Sequence, residues 1–259
     1  MKTAILGSSG YVGGELLRLL AGHSEIEVIR AFASSNAGEP FARVHPHLSL
    51  AYADRRFDAW TSGAIDGCEL IFAALPHGQT QKLADELIGS GARIVDLGAD
   101  FRLDSPEEYE RWYGEPHARP ELLERFVYGL PEFHREAIEG ARFVAAPGCY
   151  PTAASLALRP LVDSRIASRE GLIVDAASGV SGAGRGARAT THFCGVDGSL
   201  RAYGLLNHAA ASLRPATRGR PAPAIRSPFC ARLMPASRSF MLATRRPKPN
   251  GPAGPTPPF

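Results

Sequence analysis

A strand, a glycine-rich loop and a helix follow one another at the start of the chain, and this order constrains the fold more than any other feature. Residues 3–6 form an apolar run typical of a buried strand, and residues 15–20 carry leucines at helical spacing. The loop between them has the spacing G-x-x-G-x-x-G, which lets backbone amides approach a pyrophosphate at a helix N-terminus. A plain strand-to-helix turn is the alternative, but the position within a βαβ pattern favours dinucleotide binding. The predicted cofactor contacts in this loop are Gly7, Ser9, Gly10 and Gly13.

Strand and helix patterns continue to alternate along the chain. Further strand runs occupy residues 27–33, 70–75, 94–97 and 143–146, and helical patterns occupy residues 79–88 and 151–158. This alternation predicts an α/β protein whose doubly wound parallel sheet forms a Rossmann domain over residues 1–148. Residues 103–139 are charged and aromatic without a dominant period, so we expect helices and loops on the surface there. A further strand run at residues 172–176 belongs to a second domain. We expect this domain over residues 149–208, as an incomplete α+β unit.

The charge is divided unevenly between two segments. Residues 1–208 hold 20 Lys and Arg against 26 Asp and Glu, whereas residues 209–259 hold nine basic residues and no acidic one. Because the basicity belongs to a tail that also holds 11 of the 21 prolines, we do not expect nucleic-acid binding. No apolar run approaches the ~18 residues of a membrane helix. Four scattered cysteines fit a reducing compartment, so we expect a soluble, cytoplasmic protein.

The end of the second predicted strand indicates which dinucleotide is bound. NAD-binding loops of this kind usually carry an acidic residue there, which binds the ribose 2′-hydroxyl. Here the strand is followed by Ser34, Ser35 and Asn36, with no carboxylate before Glu39. Hydroxyl and amide groups can donate to a 2′-phosphate without repelling it. The sequence therefore favours NADP over NAD, with Ser34 and Ser35 as contacts.

Cys149 is the strongest candidate for covalent chemistry. It follows a strand and a Pro-Gly turn and directly precedes a predicted helix. A helix N-terminus favours the thiolate, which is the nucleophilic form of cysteine. A small buried apolar residue is the alternative, and the residues alone leave both open.

Two arginines are weaker candidates for binding an anion. Arg185 lies in a glycine-rich loop at residues 178–186, which either cradles an anion or is a flexible connection. Arg102 follows Asp100 and Phe101, where a surface ion pair is the commoner role. The eight histidines show no metal-ligand spacing, so no metal site is predicted.

Several motifs together resemble the N-acetyl-gamma-glutamyl-phosphate reductase family over residues 1–208. These motifs are GSSGYVGG at 7–14, ALPHG at 74–78, DLGADFRL at 96–103, YGLPE at 128–132, PGCYPTA at 147–153, SGVSGAGR at 178–185 and THFCGVDGSLRAYGLLNH at 191–208. The resemblance implies NADPH-dependent reduction of N-acetylglutamyl 5-phosphate to the 5-semialdehyde and phosphate, in arginine biosynthesis.

The resemblance also implies roles for particular residues. Cys149 would form a thioester with the substrate, and His208 would be the acid–base group. Arg102 and Arg185 lie in family motifs and become candidates for binding substrate phosphate or carboxylate. The family further suggests a homo-oligomer.

The resemblance ends immediately after His208. The family continues with a second histidine two positions later, whereas this chain reads Ala209, Ala210 and Ala211. The simultaneous loss of acidic residues and gain of prolines suggests a reading-frame shift near codon 209. A divergent tail is the alternative, and in either case we expect residues 209–259 to be mostly irregular, because proline interrupts helices and sheets.

Two other functions remain open at this point. Aspartate-semialdehyde dehydrogenase shares the cysteine–thioester chemistry, although the ALPHG and SGVSGAGR motifs favour the glutamyl enzyme. A catalytically inactive remnant that still binds the nucleotide is the other alternative, because the tail departs from the family.

Overall fold

The computed structural model of this chain describes residues 1–170, residues 172–203 and the backbone of residues 230–234. His208 and most of the predicted tail, residues 209–259, lie outside the described residues. In the described part of the chain, no helix is long and apolar enough to cross a bilayer.

A six-stranded parallel sheet forms the centre of the N-terminal part. Its strands are β1 (Lys2–Leu6), β2 (Glu27–Phe32), β3 (Leu70–Ala73), β4 (Arg93–Asp96), β5 (Val127–Tyr128) and β6 (Phe143–Ala145). They lie in the order β2-β1-β3-β4-β6-β5, and every pair is parallel. The predicted doubly wound α/β sheet is confirmed.

Short helices connect these strands. They are α1 (Tyr11–Leu20), α2 (Phe41–Val44), α3 (Ala84–Gly89), α4 (Pro106–Tyr113) and α5 (Pro131–Gly140), with 3-10 turns at Pro46–Leu48 and Pro120–Arg125. α3 begins five residues later than the apolar pattern predicts. The reason is that the buried Asp100 carboxylate accepts hydrogen bonds from the amides of Gly78 and Gln81, at 2.7 and 2.9 Å, and holds the preceding segment as a turn.

The apolar core lies on both faces of the sheet. Ile5 and Leu17 pack with Phe41 and Phe57 on one face. The other face includes Leu123 and Phe126, which come from the segment predicted to lie on the surface. The expected helices are present as α4 and α5, but the expected surface position is wrong for these side chains. The segment buries apolar residues irregularly, without the repeat that would identify them in the sequence. The Phe101 and Phe126 rings stack there at 4.1 Å between centroids.

A smaller unit follows the first sheet. It contains α6 (Cys149–Asp163), β7 (Asp175–Gly179), α7 (Phe193–Val196), β8 (Arg201–Tyr203) and β9 (Cys230–Met234), with 3-10 turns at Val180–Ala183 and Ala189–Thr191. β9 lies between β7 and β8, parallel to β7 and antiparallel to β8. β7 begins three residues after the predicted start because its pairing with β9 begins at Asp175. β9 belongs to the tail that was expected to be mostly irregular, and the rest of that expectation stays a prediction.

The buried residues of the 103–139 segment make a stability prediction possible. Leu123, in this segment, is 0% exposed, whereas Leu50, in an earlier segment, is 97% exposed. The same substitution at the two positions therefore compares a buried leucine with an exposed one. We expect Leu123→Ala to lower the free energy of unfolding by about 2–5 kcal/mol, because it removes packed methyl groups and leaves a cavity. Leu50→Ala should change it by less than about 0.5 kcal/mol. Urea denaturation measures both, and equal effects would contradict the placement of this segment in the core.

Candidate active site

Four loops meet at the carboxyl edge of the six-stranded sheet, where β1, β3, β4 and β6 end. In open parallel sheets, ligands bind at this edge, at the point where the chain connections diverge. That point lies between β1 and β3 here, since β1 has β2 on one side and β3 on the other. The glycine loop after β1 therefore occupies the place expected for a dinucleotide.

The glycines of this loop are required by close backbone approach. Gly7 has φ +73°, and a Cβ on it would lie 2.9 Å from the carbonyl carbon of Ala74. A Cβ on Gly13 would lie 2.5 Å from the Cα of Ser8. Gly10 precedes α1 as its N-cap, and its amide donates to the Gly7 carbonyl at 3.0 Å. The loop is thus folded tightly against the end of β3, directly before the N-terminus of α1.

The end of β2 is tied to the same loop. Ser8 is fully buried, and its amide and hydroxyl both donate to the Phe32 carbonyl, at 2.9 and 2.7 Å. Ser34 and Ser35 are exposed directly beyond β2. The two segments that sequence reasoning assigned to the dinucleotide phosphates therefore neighbour one another.

Cys149 is the first residue of α6, and it is exposed. Gly148 precedes it as the N-cap with φ +90°, a backbone conformation that L side chains rarely adopt. A Cβ on Gly148 would also lie 2.6 Å from Nη1 of Arg102. The glycine therefore allows a guanidinium to lie directly beside the turn that presents the thiol.

Arg102 is partly buried and lies against the Cys149 turn. Its Nη2 donates to the Gly98 carbonyl, and it also hydrogen-bonds to Tyr113. Its Nε is buried and has no hydrogen-bond partner in the described part of the chain. The guanidinium thus lies beside the turn that precedes Cys149, with its Nε enclosed by the protein.

Asp100 holds the loop that carries Arg102. Its carboxylate accepts hydrogen bonds from the Gly78 and Gln81 amides, and its Oδ1 lies 3.4 Å from His77 Nδ1. Sequence reasoning quoted Asp100 only as part of a motif, since its partners lie about 20 residues earlier and become neighbours only when β3 and β4 pair. The nearest signal was the coincidence of the ALPHG and DLGADFRL motifs.

A set of rings packs over this carboxylate. The Tyr109 hydroxyl accepts from Gln81 Nε2 at 2.9 Å and lies 3.3 Å from His77 Nε2. Burial raises the pKa of Tyr109, and the negative charge of Asp100 raises it further. The His77 ring stacks on Tyr113 at 4.4 Å between centroids. These contacts make the two loops one rigid wall of the site.

Asp96, the last residue of β4, is a second buried carboxyl group near Asp100. Thr80 Oγ1 and the Gly98 amide donate to its Oδ1, at 2.9 and 3.1 Å. Burial raises the pKa of Asp96 to about 6, and the nearby Asp100 carboxylate contributes to the rise. The Asp96 carbonyl also accepts from the Ala146 amide, which connects β4 to the strand that leads to the cysteine.

Arg185 lies at the glycine loop, away from the predicted nucleophile's own turn. Its guanidinium is 4.9 Å from the Tyr11 ring centroid, and its two terminal nitrogens bond to the Val44 carbonyl and to His45. The residues brought together are therefore Arg102 with the cysteine turn and Arg185 with the glycine loop. His45 was not among the predicted site residues, because a single buried histidine carries no sequence pattern.

A tyrosine pair connects α6 to β8. The Tyr150 and Tyr203 hydroxyls lie 2.7 Å apart. Burial raises the pKa of Tyr203, and the hydrogen bond with Tyr150 and the negative charge of a Cys149 thiolate raise it further. His208, the predicted acid–base residue, follows Tyr203 by five positions in the sequence and lies outside the described residues.

No group of three or more His, Cys, Asp or Glu side chains that could hold a metal ion occurs within residues 1–170 and 172–203.

Solved structures of similar fold include two aspartate semialdehyde dehydrogenases. The enzyme from Candida albicans, solved with NADP, matches with a TM-score of 0.64 and 15% identity over 96% of this chain and 73% of that one. Aspartate semialdehyde dehydrogenase II from Vibrio cholerae, solved in complex with ASA, matches with a TM-score of 0.64 and 16% identity over 95% of this chain and 75% of that one. At these identities the likeness concerns the fold.

Relatives with much higher identity carry another name. N-acetyl-gamma-glutamyl-phosphate reductase from Azotobacter vinelandii is 48% identical over 208 residues, and the one from Pseudomonas aeruginosa PAO1 is 47% identical over 208 residues. Each alignment covers 80% of this chain and 60% of the relative. The chain thus spans about 60% of the length of these relatives.

Two family models match nearly all of the described chain. The semialdehyde dehydrogenase NAD binding domain matches residues 2–141, and the semialdehyde dehydrogenase dimerisation domain matches residues 149–238. The second match includes β9, in the part of the tail that the structure describes. The first model alone matches more than half of the chain, and the chain therefore belongs to the semialdehyde dehydrogenases.

Proposed function

We propose that this chain reduces N-acetylglutamyl 5-phosphate to N-acetylglutamate 5-semialdehyde and phosphate, with NADPH as reductant. The observation that carries the proposal is the exposed Cys149 at the first position of α6, directly after a turn against which the Arg102 guanidinium lies. A thiol at a helix N-terminus is suited to attack an acyl group, and a cation beside it is suited to hold a phosphate or carboxylate. The names of the relatives at 47–48% identity supply the substrate.

The chemistry assigned to Cys149 is acyl transfer. The thiolate attacks the acyl-phosphate carbonyl carbon, the carbon–oxygen bond to phosphate breaks, and orthophosphate leaves a thioester on the sulfur. After reduction of that carbon, the carbon–sulfur bond breaks, the aldehyde is released and the thiolate returns. His208 is the proposed acid–base group that protonates and deprotonates the oxygen in these steps. Arg102 binds the substrate's anionic group beside the sulfur.

The residues around the glycine loop fit a dinucleotide. A Cβ at Gly7 or Gly13 would meet backbone atoms, so glycine at both positions permits the tight loop before the helix N-terminus, where backbone amides favour a phosphate. Gly7, Ser9, Gly10 and Gly13 would hold the pyrophosphate, and Ser34 and Ser35 the 2′-phosphate. When bound, NADPH supplies the hydride that reduces the thioester carbon.

The remaining assignments follow from the same proposal. The match to a dimerisation domain supports a homo-oligomer, and the free cysteines are suited to the reducing cytoplasm. The aspartyl substrate is less favoured than the glutamyl one, because the aspartate enzymes share only 15–16% identity with this chain. The predicted domain limits, 1–148, 149–208 and 209–259, stay predictions.

Substitution of the nucleophile tests the proposal. In a phosphate-dependent assay of NADP reduction by N-acetylglutamate semialdehyde, Cys149→Ser should lower kcat by about a thousandfold or more, since no thioester forms. Cys194→Ser is the matched control, because Cys194 is also exposed, and it should stay within about twofold. Turnover that survives Cys149→Ser would contradict the mechanism. A wild-type chain that binds NADPH without turnover would retain only the nucleotide site.

Two substitutions of Arg102, one that removes the charge and one that keeps it, test its proposed role in binding the substrate. Arg102→Met should lower kcat/KM for the semialdehyde by about 10- to 100-fold, since it removes charge-assisted hydrogen bonds to the substrate. Arg102→Lys should recover part of the loss, because an ammonium keeps the charge without the planar fork. Arg111→Met, at an exposed position of α4, is the control and should have no effect. Steady-state kinetics at varied semialdehyde concentration provides the measurement.

The preference for NADPH over NADH is tested at the end of β2. Ser34→Asp should weaken NADPH binding by about tenfold or more, because a carboxylate repels the 2′-phosphate. Ser34→Asn removes this repulsion while keeping a polar side chain, and it should bind NADPH within about threefold of wild type. Fluorescence titration with NADPH and NADH measures both, and an equal loss for the two nucleotides would refute the assignment.

A further inference from the structure

His45 lies beneath the start of α1, buried against a glycine outside the G-x-x-G-x-x-G spacing. A Cβ on Gly14 would lie 2.6 Å from His45 Nδ1. Gly14 is therefore required by the imidazole, whereas Gly7 and Gly13 are required by the backbone of the loop itself.

Both ring nitrogens of His45 have partners. Nε2 lies 2.9 Å from the Ser8 carbonyl oxygen, and Nδ1 lies 3.2 Å from Nη2 of Arg185. A carbonyl can only accept and a guanidinium can only donate, so the proton must be on Nε2 and Nδ1 must accept. Burial lowers the pKa of His45, which keeps the ring in this neutral form. The imidazole thus links one acceptor and one donor from two separate loops.

The bond to Ser8 orients the next amide. In a planar trans peptide, the carbonyl and the following N–H point in opposite directions. Because His45 holds the Ser8 carbonyl, the Ser9 N–H points to the side of the loop away from the ring. Ser9 is one of the proposed phosphate contacts, so His45 directs this amide without touching the ligand.

The bond to Arg185 places a cation at the N-terminus of a helix. Nη1 donates to the Val44 carbonyl at 3.1 Å, and the guanidinium packs over Tyr11, the first residue of α1. The Val44 carbonyl, at the C-terminal end of α2, stabilises the guanidinium, while a helix N-terminus and a guanidinium both favour an anion between them. The first turn of α1 contains no acidic residue. The arrangement therefore fits a phosphate supplied by a ligand.

We propose that His45 is a positioning residue for the dinucleotide phosphates, which holds the Ser8–Ser9 peptide and the Arg185 guanidinium in the geometry that receives them. This inference rests on the proposed function and deepens its cofactor site. It assigns Arg185 to the dinucleotide, whereas the sequence motif had suggested the substrate. It also couples the glycine loop to the 178–186 loop of the second domain.

Binding of NADPH to the full chain, measured by fluorescence titration, tests the proposal without requiring turnover. His45→Phe keeps a ring but removes both hydrogen bonds, and it should raise the Kd by roughly tenfold. His45→Gln offers one donor and one acceptor, so it should stay within about threefold of wild type. His47→Phe is the matched control, because His47 is the exposed neighbour of the same segment and should leave the Kd unchanged. Thermal unfolding of each variant establishes that it is folded.

A double-mutant cycle separates positioning from a general loss of packing. Arg185→Met alone should raise the Kd, and adding His45→Phe to it should raise the Kd by less than His45→Phe does in the wild-type background. Full additivity would overturn the coupling between the two residues, even if His45→Phe lowers stability.

The outcomes distinguish this inference from the reductase proposal. If wild type binds NADPH and His45→Phe binds equally well, only the positioning role is overturned. If His45→Phe weakens binding, His45→Gln does not, and no chain turns over the semialdehyde, then the positioning role holds and the reductase proposal fails. If wild type does not bind NADPH, both are overturned.

Discussion

The close approach of β1 to β3 at their carboxyl ends is the constraint on which the rest of this structure depends. Gly7 turns with positive φ directly against Ala74, where any side chain would meet the neighbouring backbone. This contact sets the direction in which α1 leaves the sheet, and thereby where its N-terminus points. A ligand with phosphate groups is expected at that point because the switch in strand order opens a crevice there.

Buried polar groups then join the loops around the crevice. Asp100 links the loop after β3 to the loop after β4, and Arg102 extends that wall to the turn before Cys149. Such groups are costly to bury alone, and their value lies in the particular arrangement they impose. Gly148 allows the Arg102 guanidinium to lie close to the backbone, and Gly14 does the same for the His45 imidazole. At these two positions, a polar side chain and the glycine that it packs against together determine the local geometry of the site.

The main features of the fold were predictable from local patterns, and the failures have physical causes. Parallel strands buried on both faces read as apolar runs, which is why β1, β2, β3, β4 and β6 were recognised. β5 has only two residues and offers no pattern. Leu123 and Phe126 were assigned to the surface, because irregular segments bury residues without a period. The start of α3 depends on a carboxylate that is distant in sequence.

The sequence by itself determined the doubly wound class, the glycine loop and the position of Cys149 before a helix, since each depends on residues that are neighbours along the chain. Only the tertiary structure decided that Arg102 lies beside the cysteine turn, and that Arg185 lies at the glycine loop. The same holds for His45, whose partners Ser8 and Arg185 are 37 and 140 residues away. Contacts over such separations form through the pairing of strands and the packing of loops, and no local pattern encodes them.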